Sequence, residues 1–81
     1  MSRQEQIGSI IVRLLEQRAR PGRPGPDDDL RQAGISSLDM VKVVLALEQS
    51  FAVAIPDEAI TPKNFRSISS IDALLGTLVP A

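Results

Sequence analysis

Residues 34–51 read Gly-Ile-Ser-Ser-Leu-Asp-Met-Val-Lys-Val-Val-Leu-Ala-Leu-Glu-Gln-Ser-Phe, and the way this stretch opens decides the fold. Gly34 can take the positive φ that a sharp approach to a helix needs. Ser36 is a favourable N-cap, and Asp39, three residues on, completes a Ser-x-x-acid capping pattern. The helix therefore begins at Ser37. At that first helical position the backbone N–H groups lack intrahelical partners and the helix dipole presents partial positive charge. A phosphate ester on the Ser37 hydroxyl would gain about 0.3–1 kcal/mol there. Local chemistry alone favours the plainer reading, that the same two serines are caps and turn residues.

The faces of this helix carry more apolar surface than one core contact requires. At 100° per residue, Met40, Val43, Val44, Leu47 and Phe51 share a core arc, with Asp39, Lys42, Gln49 and Ser50 nearly opposite. Leu38, Val41 and Leu45 form a second stripe on the same flank as Ser37. Either the helix is buried on two sides of a small bundle, or the stripe is a docking surface flanked by Asp39, Lys42 and Glu48. Periodicity is consistent with both.

Three groups of residues at characteristic spacings, Gly34-Ile-Ser-Ser-Leu-Asp-Met-Val, Leu45-Ala-Leu-Glu and Phe51-x-x-x-Ile-Pro-Asp-Glu, resemble the acyl carrier protein family. The resemblance runs from Asp27 to Leu78. In that family an Asp-Ser-Leu triplet carries a 4′-phosphopantetheine arm on its serine, which corresponds here to Ser37. The resemblance implies an all-α fold, a small four-helix bundle of three longer helices and one short one. It also implies covalent 4′-phosphopantetheine from coenzyme A, attached by a phosphopantetheinyl transferase, and an acyl or aminoacyl cargo held as a thioester. Partners would be an acyl- or aminoacyl-activating ligase and transferase or synthase enzymes of fatty-acid, polyketide or specialised biosynthesis. Leu38, Asp39, Val41, Lys42, Leu45 and Glu48 would meet those partners. By position, Val43, Val44, Leu47, Ile55, Phe65, Ile68 and Ile71 would line an acyl-binding interior.

The sequence also departs from that family. Ser36 replaces the acid that commonly precedes the modified serine, and Lys42, Gln49 and Ser50 stand where fatty-acid carriers often place acids. From Ser37 to Phe51 the formal charge is only −1, Asp39 and Glu48 against Lys42, a weak target for basic enzyme patches. A dedicated partner set fits better, and the Thr61-Pro62-Lys63-Asn64-Phe65 segment resembles that of carriers for polyketide, aminoacyl or D-alanyl groups. Ser36 and the altered charges also motivate an alternative, an unmodified carrier-like interaction module.

The rest of the chain supplies the bundle. Residues 3–18 form an amphipathic helix, with Ile7, Ile10, Ile11, Leu14 and Leu15 on one face and Val12 an apolar outlier. Residues 19–36 are a loop, because the Arg-Pro-Gly-Arg-Pro-Gly-Pro run forbids a helix. Its arginines read as a solvated loop. Asp27, Asp28 and Asp29 are structural, since they lack the glycine and ligand spacing of a calcium loop, while Leu30 and Ile35 tether the loop to the core. Residues 57–65 form a short helix or turns, with Thr61 as cap and Ile60 and Phe65 inward. A last helix over 68–78 is capped by Ser67, or by Ser69 with Asp72 completing its box.

Eighty-one residues make a single domain with an aliphatic core, for only Phe51 and Phe65 are aromatic. A formal charge of −1 argues against nucleic acid as a partner. Without cysteine or histidine there is no disulfide, no thiolate or imidazole metal site and no ordinary base for a serine nucleophile, so no enzymatic activity is expected. Neither a secretory signal nor an apolar run long enough to span a bilayer is present, and a cytoplasmic monomer without stable membrane insertion is expected.

Overall fold

A computed structural model describes residues 2–17 and 24–79. Three helices, α1 (Arg3–Gln17), α2 (Ser37–Phe51) and α3 (Ile68–Leu78), and a 3-10 turn at Asp57–Ala59 make up the regular structure, with no strand among the described residues. The all-helical architecture follows from the 3.6-residue apolar periodicity of each long segment. Helix α1 packs against both α2 and α3. Its buried side chains Ile7, Ile11 and Leu15 recur at four-residue intervals, and Gly8 is buried beside them. Residue 18, expected as the end of the first helix, and residues 19–23 of the expected loop lie outside the described residues.

The loop before α2 is fastened at several points. Leu30 and Ile35 are buried in the core. The Leu30 N–H donates to the Arg66 carbonyl at 2.8 Å, and the Ile35 N–H closes a turn onto the Leu30 carbonyl at 2.9 Å. Gly34 has φ 113°, a conformation that suits glycine and brings the chain round to the helix start. The neighbouring acids serve the same turns. Asp28 accepts from the Gly25 N–H at 2.7 Å, and Asp29 Oδ1 accepts from the Arg31 and Gln32 N–H groups at 2.9 and 3.4 Å. Among the described residues no cluster of three or more His, Cys, Asp or Glu could hold a metal ion.

Two local expectations are corrected. Ile60 does not face inward: it is 39% exposed, while Phe65 is buried. The Thr61 hydroxyl and carbonyl accept from the Asn64 and Phe65 N–H groups, making one isolated turn that leaves Ile60 at the surface. The cap of α3 is Ser67 paired with Ser70, not Ser69 with Asp72. A serine hydroxyl can both accept and donate, so Ser70 completes the box without an acid.

Asp72 is thereby free to tie α1 to α3. The Arg3 guanidinium donates to one carboxylate oxygen and the Gln4 amide to the other at 3.2 Å. Gly76 lacks the Cβ that would press against the Arg3 guanidinium at 3.1 Å. The hydrogen bond from Arg3 holds the Asp72 carboxyl below its ordinary value of 3.8, against a smaller opposing effect of burial. A lowered folded-state value stabilises the fold above the unfolded value, and that stabilisation is lost as pH falls through the folded one. Asp72→Asn is therefore expected to cost about 0.2–1 kcal/mol at pH 7. In thermal melts across a pH series, that deficit should fade once the pH drops well below 3.8.

Candidate functional site

Ser37 sits where the capping chemistry puts it. Ser36 is extended at φ −83° and ψ 171°, its hydroxyl accepts from the Asp39 N–H, and Asp39 Oδ2 accepts from the Ser36 N–H and hydroxyl, each at 3.0 Å. This reciprocal pair fixes the first turn of α2 and leaves Ser37 exposed as its first residue. The Arg31 guanidinium donates to the Ser37 hydroxyl at 3.5 Å.

Beside Ser37 opens a groove of about 490 Å³. Its apolar walls are Met40, Ile60, Pro62 and Phe65, and its charged residues are Asp29, Arg31, Lys63 and Arg66, a formal sum of +2. Sequence reasoning missed the three cations as site residues because they come from separate loops. Backbone bonds from Leu30 to Arg66 and from Ser69 to Pro26 bring those loops together, and they leave no local sequence signal.

Of the residues placed by position as an acyl-binding interior, all but Phe65 lie away from that groove. Val43, Val44, Leu47, Ile55, Phe65, Ile68 and Ile71 are all buried and belong to one packed core cluster with Ile7, Ile11 and Leu75. Of the seven, only Phe65 also lines the groove beside Ser37. All seven are shielded from solvent within that cluster.

The second apolar stripe is open to solvent. Leu38, Val41 and Leu45 are 69%, 56% and 55% exposed, and Lys42 is exposed beside them. The two acids expected to flank this surface are placed elsewhere. Asp39 is 1% exposed because its carboxylate folds back onto the helix cap. Glu48 is half-buried and accepts from the Ile55 N–H at 2.9 Å, fixing the chain reversal after α2. Ala52, in the left-handed region at φ 54°, makes the turn that brings this contact about.

The donor set suits a phosphodiester-linked arm. An exposed hydroxyl at a helix N-terminus is adjoined by a guanidinium and by a groove with a cationic rim and apolar floor. A helical face of exposed leucine and valine lies alongside. No helix among the described residues is long and apolar enough to cross a membrane.

Comparison with known proteins gives concordant results. A family model described as phosphopantetheine attachment site matches residues 5–77. Aminoacyl carrier protein 1 of Bradyrhizobium diazoefficiens is 36% identical over 76 residues, covering 93% of this chain and 84% of the relative. The crystal structure of Bradyrhizobium japonicum glycine:[carrier protein] ligase complexed with glycylated carrier protein contains a chain that matches with a TM-score of 0.81 at 33% identity, over 89% of this chain and 96% of that one. The structure of the same ligase complexed with cognate carrier protein and an analogue of glycyl adenylate matches with a TM-score of 0.83 at 33% identity, over 93% and 96%.

Proposed function

Given that the chain belongs to the phosphopantetheine-attachment family of carrier proteins, we propose that Ser37 bears the arm and that the cargo is an aminoacyl group delivered by an ATP-dependent ligase. The observation that carries this reading is the exposed Ser37 hydroxyl at the first position of α2, beside the groove and the Leu38–Val41–Leu45 stripe. A phosphopantetheinyl transferase would join that hydroxyl oxygen to the phosphorus of coenzyme A, breaking its pyrophosphate bond and releasing adenosine 3′,5′-bisphosphate. The arm supplies a terminal thiol whose sulfur bonds the carboxyl carbon of an aminoacyl adenylate, breaking that carbon's bond to the phosphate oxygen, releasing AMP and leaving the cargo as a thioester.

The chain's own task is recognition. Leu38, Val41 and Leu45 present an apolar contact that transferase and ligase meet in turn, with Lys42 at its edge. Covalent tethering raises the effective concentration of cargo at each partner's site without any new contact. The packed core favours a small aminoacyl group over a long acyl chain, because Val43, Val44 and Leu47 already fill the space such a chain would need. In this reading the chain works as a cytoplasmic monomer, where coenzyme A and ATP are at hand and the stripe stays open to successive partners.

Intact mass after incubation with coenzyme A and a broad-specificity transferase tests the attachment. Wild type should gain one phosphopantetheine and Ser37→Ala none. Further incubation with glycine, ATP and the Bradyrhizobium ligase should add one glycyl group to the modified chain. No gain on wild type, under conditions that modify another carrier, would transfer the role to an unmodified interaction module.

A further inference from the structure

We infer that Arg31, with Arg66 and Lys63 on the same groove, binds the phosphodiester of the arm and holds its root against α2. This rests on the attachment to Ser37 proposed above. The Arg31 guanidinium donates to the Ser37 hydroxyl oxygen at 3.5 Å, so a phosphorus bonded to that oxygen brings its anionic oxygens within the guanidinium's reach. A guanidinium can donate two parallel hydrogen bonds to a phosphate, a geometry the single hydroxyl cannot use.

The backbone of Arg31 is set in place for this role. Its N–H donates to Asp29 Oδ1 at 2.9 Å and its carbonyl accepts from the Gly34 N–H at 3.2 Å, so the side chain starts from a fixed turn. Opposing charge is limited. Asp29 is the one acid lining the groove, and the same Oδ1 receives two backbone N–H groups. Asp39 is buried and receives the Ser36 N–H and hydroxyl. Ser36, directly before the attachment point, is uncharged, so no adjacent carboxylate repels the phosphate. With its root pinned, the arm lies over Met40, Ile60 and Phe65 when no partner draws it out.

The test compares apo and modified forms of wild type, Arg31→Lys, Arg31→Gln and Arg31→Glu, each first checked for stoichiometric modification by intact mass. Arg31 is exposed, and the apo variants should melt with wild type. Modification should raise the wild-type melting temperature by about 2–5 °C at low ionic strength, with the gain largely screened near 1 M salt. Arg31→Gln should lose most of the gain, Arg31→Glu should turn it into a loss, and Arg31→Lys should keep part of it. The phosphorus-31 resonance of the arm should move in the Gln and Glu variants towards its position in the denatured modified chain. Equal melting gains and one unchanged phosphorus resonance across all four modified proteins would overturn the clamp while leaving attachment at Ser37 intact. Absence of a mass gain in wild type would overturn the attachment, and the clamp with it.

Discussion

Val41→Asp is expected to slow ligase-dependent aminoacylation of the modified chain by about 30-fold or more, read as kcat/KM for the carrier. The side chain is 56% exposed at the middle of the stripe, between Leu38 at 69% and Leu45 at 55%. A carboxylate there costs the fold little, since exposed substitutions usually fall within about 0.5 kcal/mol, or some 2–4 °C in melting temperature. Bound to a partner, the same carboxylate would lose water at the centre of an apolar contact, where truncating an interface anchor costs about 2 kcal/mol or more. Each 1.36 kcal/mol is a factor of ten in rate, which gives the 30-fold figure. Arg13→Asp, also exposed but on α1, should load at the wild-type rate. Normal loading of a stoichiometrically modified Val41→Asp protein would sink the stripe as the docking surface.

How much of this could be read beforehand depended on how local each feature is. The start of α2 was legible because a capping box involves only residues 36–39, and Ser36 and Asp39 make both its hydrogen bonds. The same box explains where the reading of Asp39 failed. A helical wheel sorts residues by angle alone, and it placed Asp39 opposite the core without allowing for a first-turn side chain that folds back on its own cap. At the start of α3 the acid at residue 72 looked like a cap partner, yet its real partners, Arg3 and Gln4, lie at the other end of the chain. The cationic groove was illegible for a related reason. Arg31 and Arg66 are brought together by backbone bonds between segments far apart in the sequence, Leu30 to Arg66 and Ser69 to Pro26, and such bonds follow no periodicity. Exposure of the second stripe on α2 could not be read either, because whether another helix covers it is a matter of tertiary arrangement.

Leu47→Ala is expected to destabilise the protein by about 2–5 kcal/mol. Leu47 is 0% exposed in the cluster formed with Ile7, Ile11 and Ile71, so removing its branched end leaves a cavity that rigid helical backbones can only partly close. For an 81-residue chain the whole stability is on the order of 4–12 kcal/mol, and the loss is a large share of it. At about 4–8 °C per kcal/mol, the melting temperature should fall by at least about 8 °C. Leu47→Met, which nearly preserves volume, should cost less than about 1.5 kcal/mol. The same pair of variants separates a filled core from an acyl-binding interior. If Leu47 belongs to the core alone, both variants, assayed well below their melting points, should accept phosphopantetheine and an aminoacyl group at the wild-type rate, because the groove beside Ser37 does not include residue 47. Were the interior to receive the cargo, the thermal melt of Leu47→Ala would instead shift upward when a longer acyl group was attached to the arm. Melting curves of the apo, modified and acylated forms decide between these outcomes, with a large apo deficit that acylation leaves in place being the result expected here.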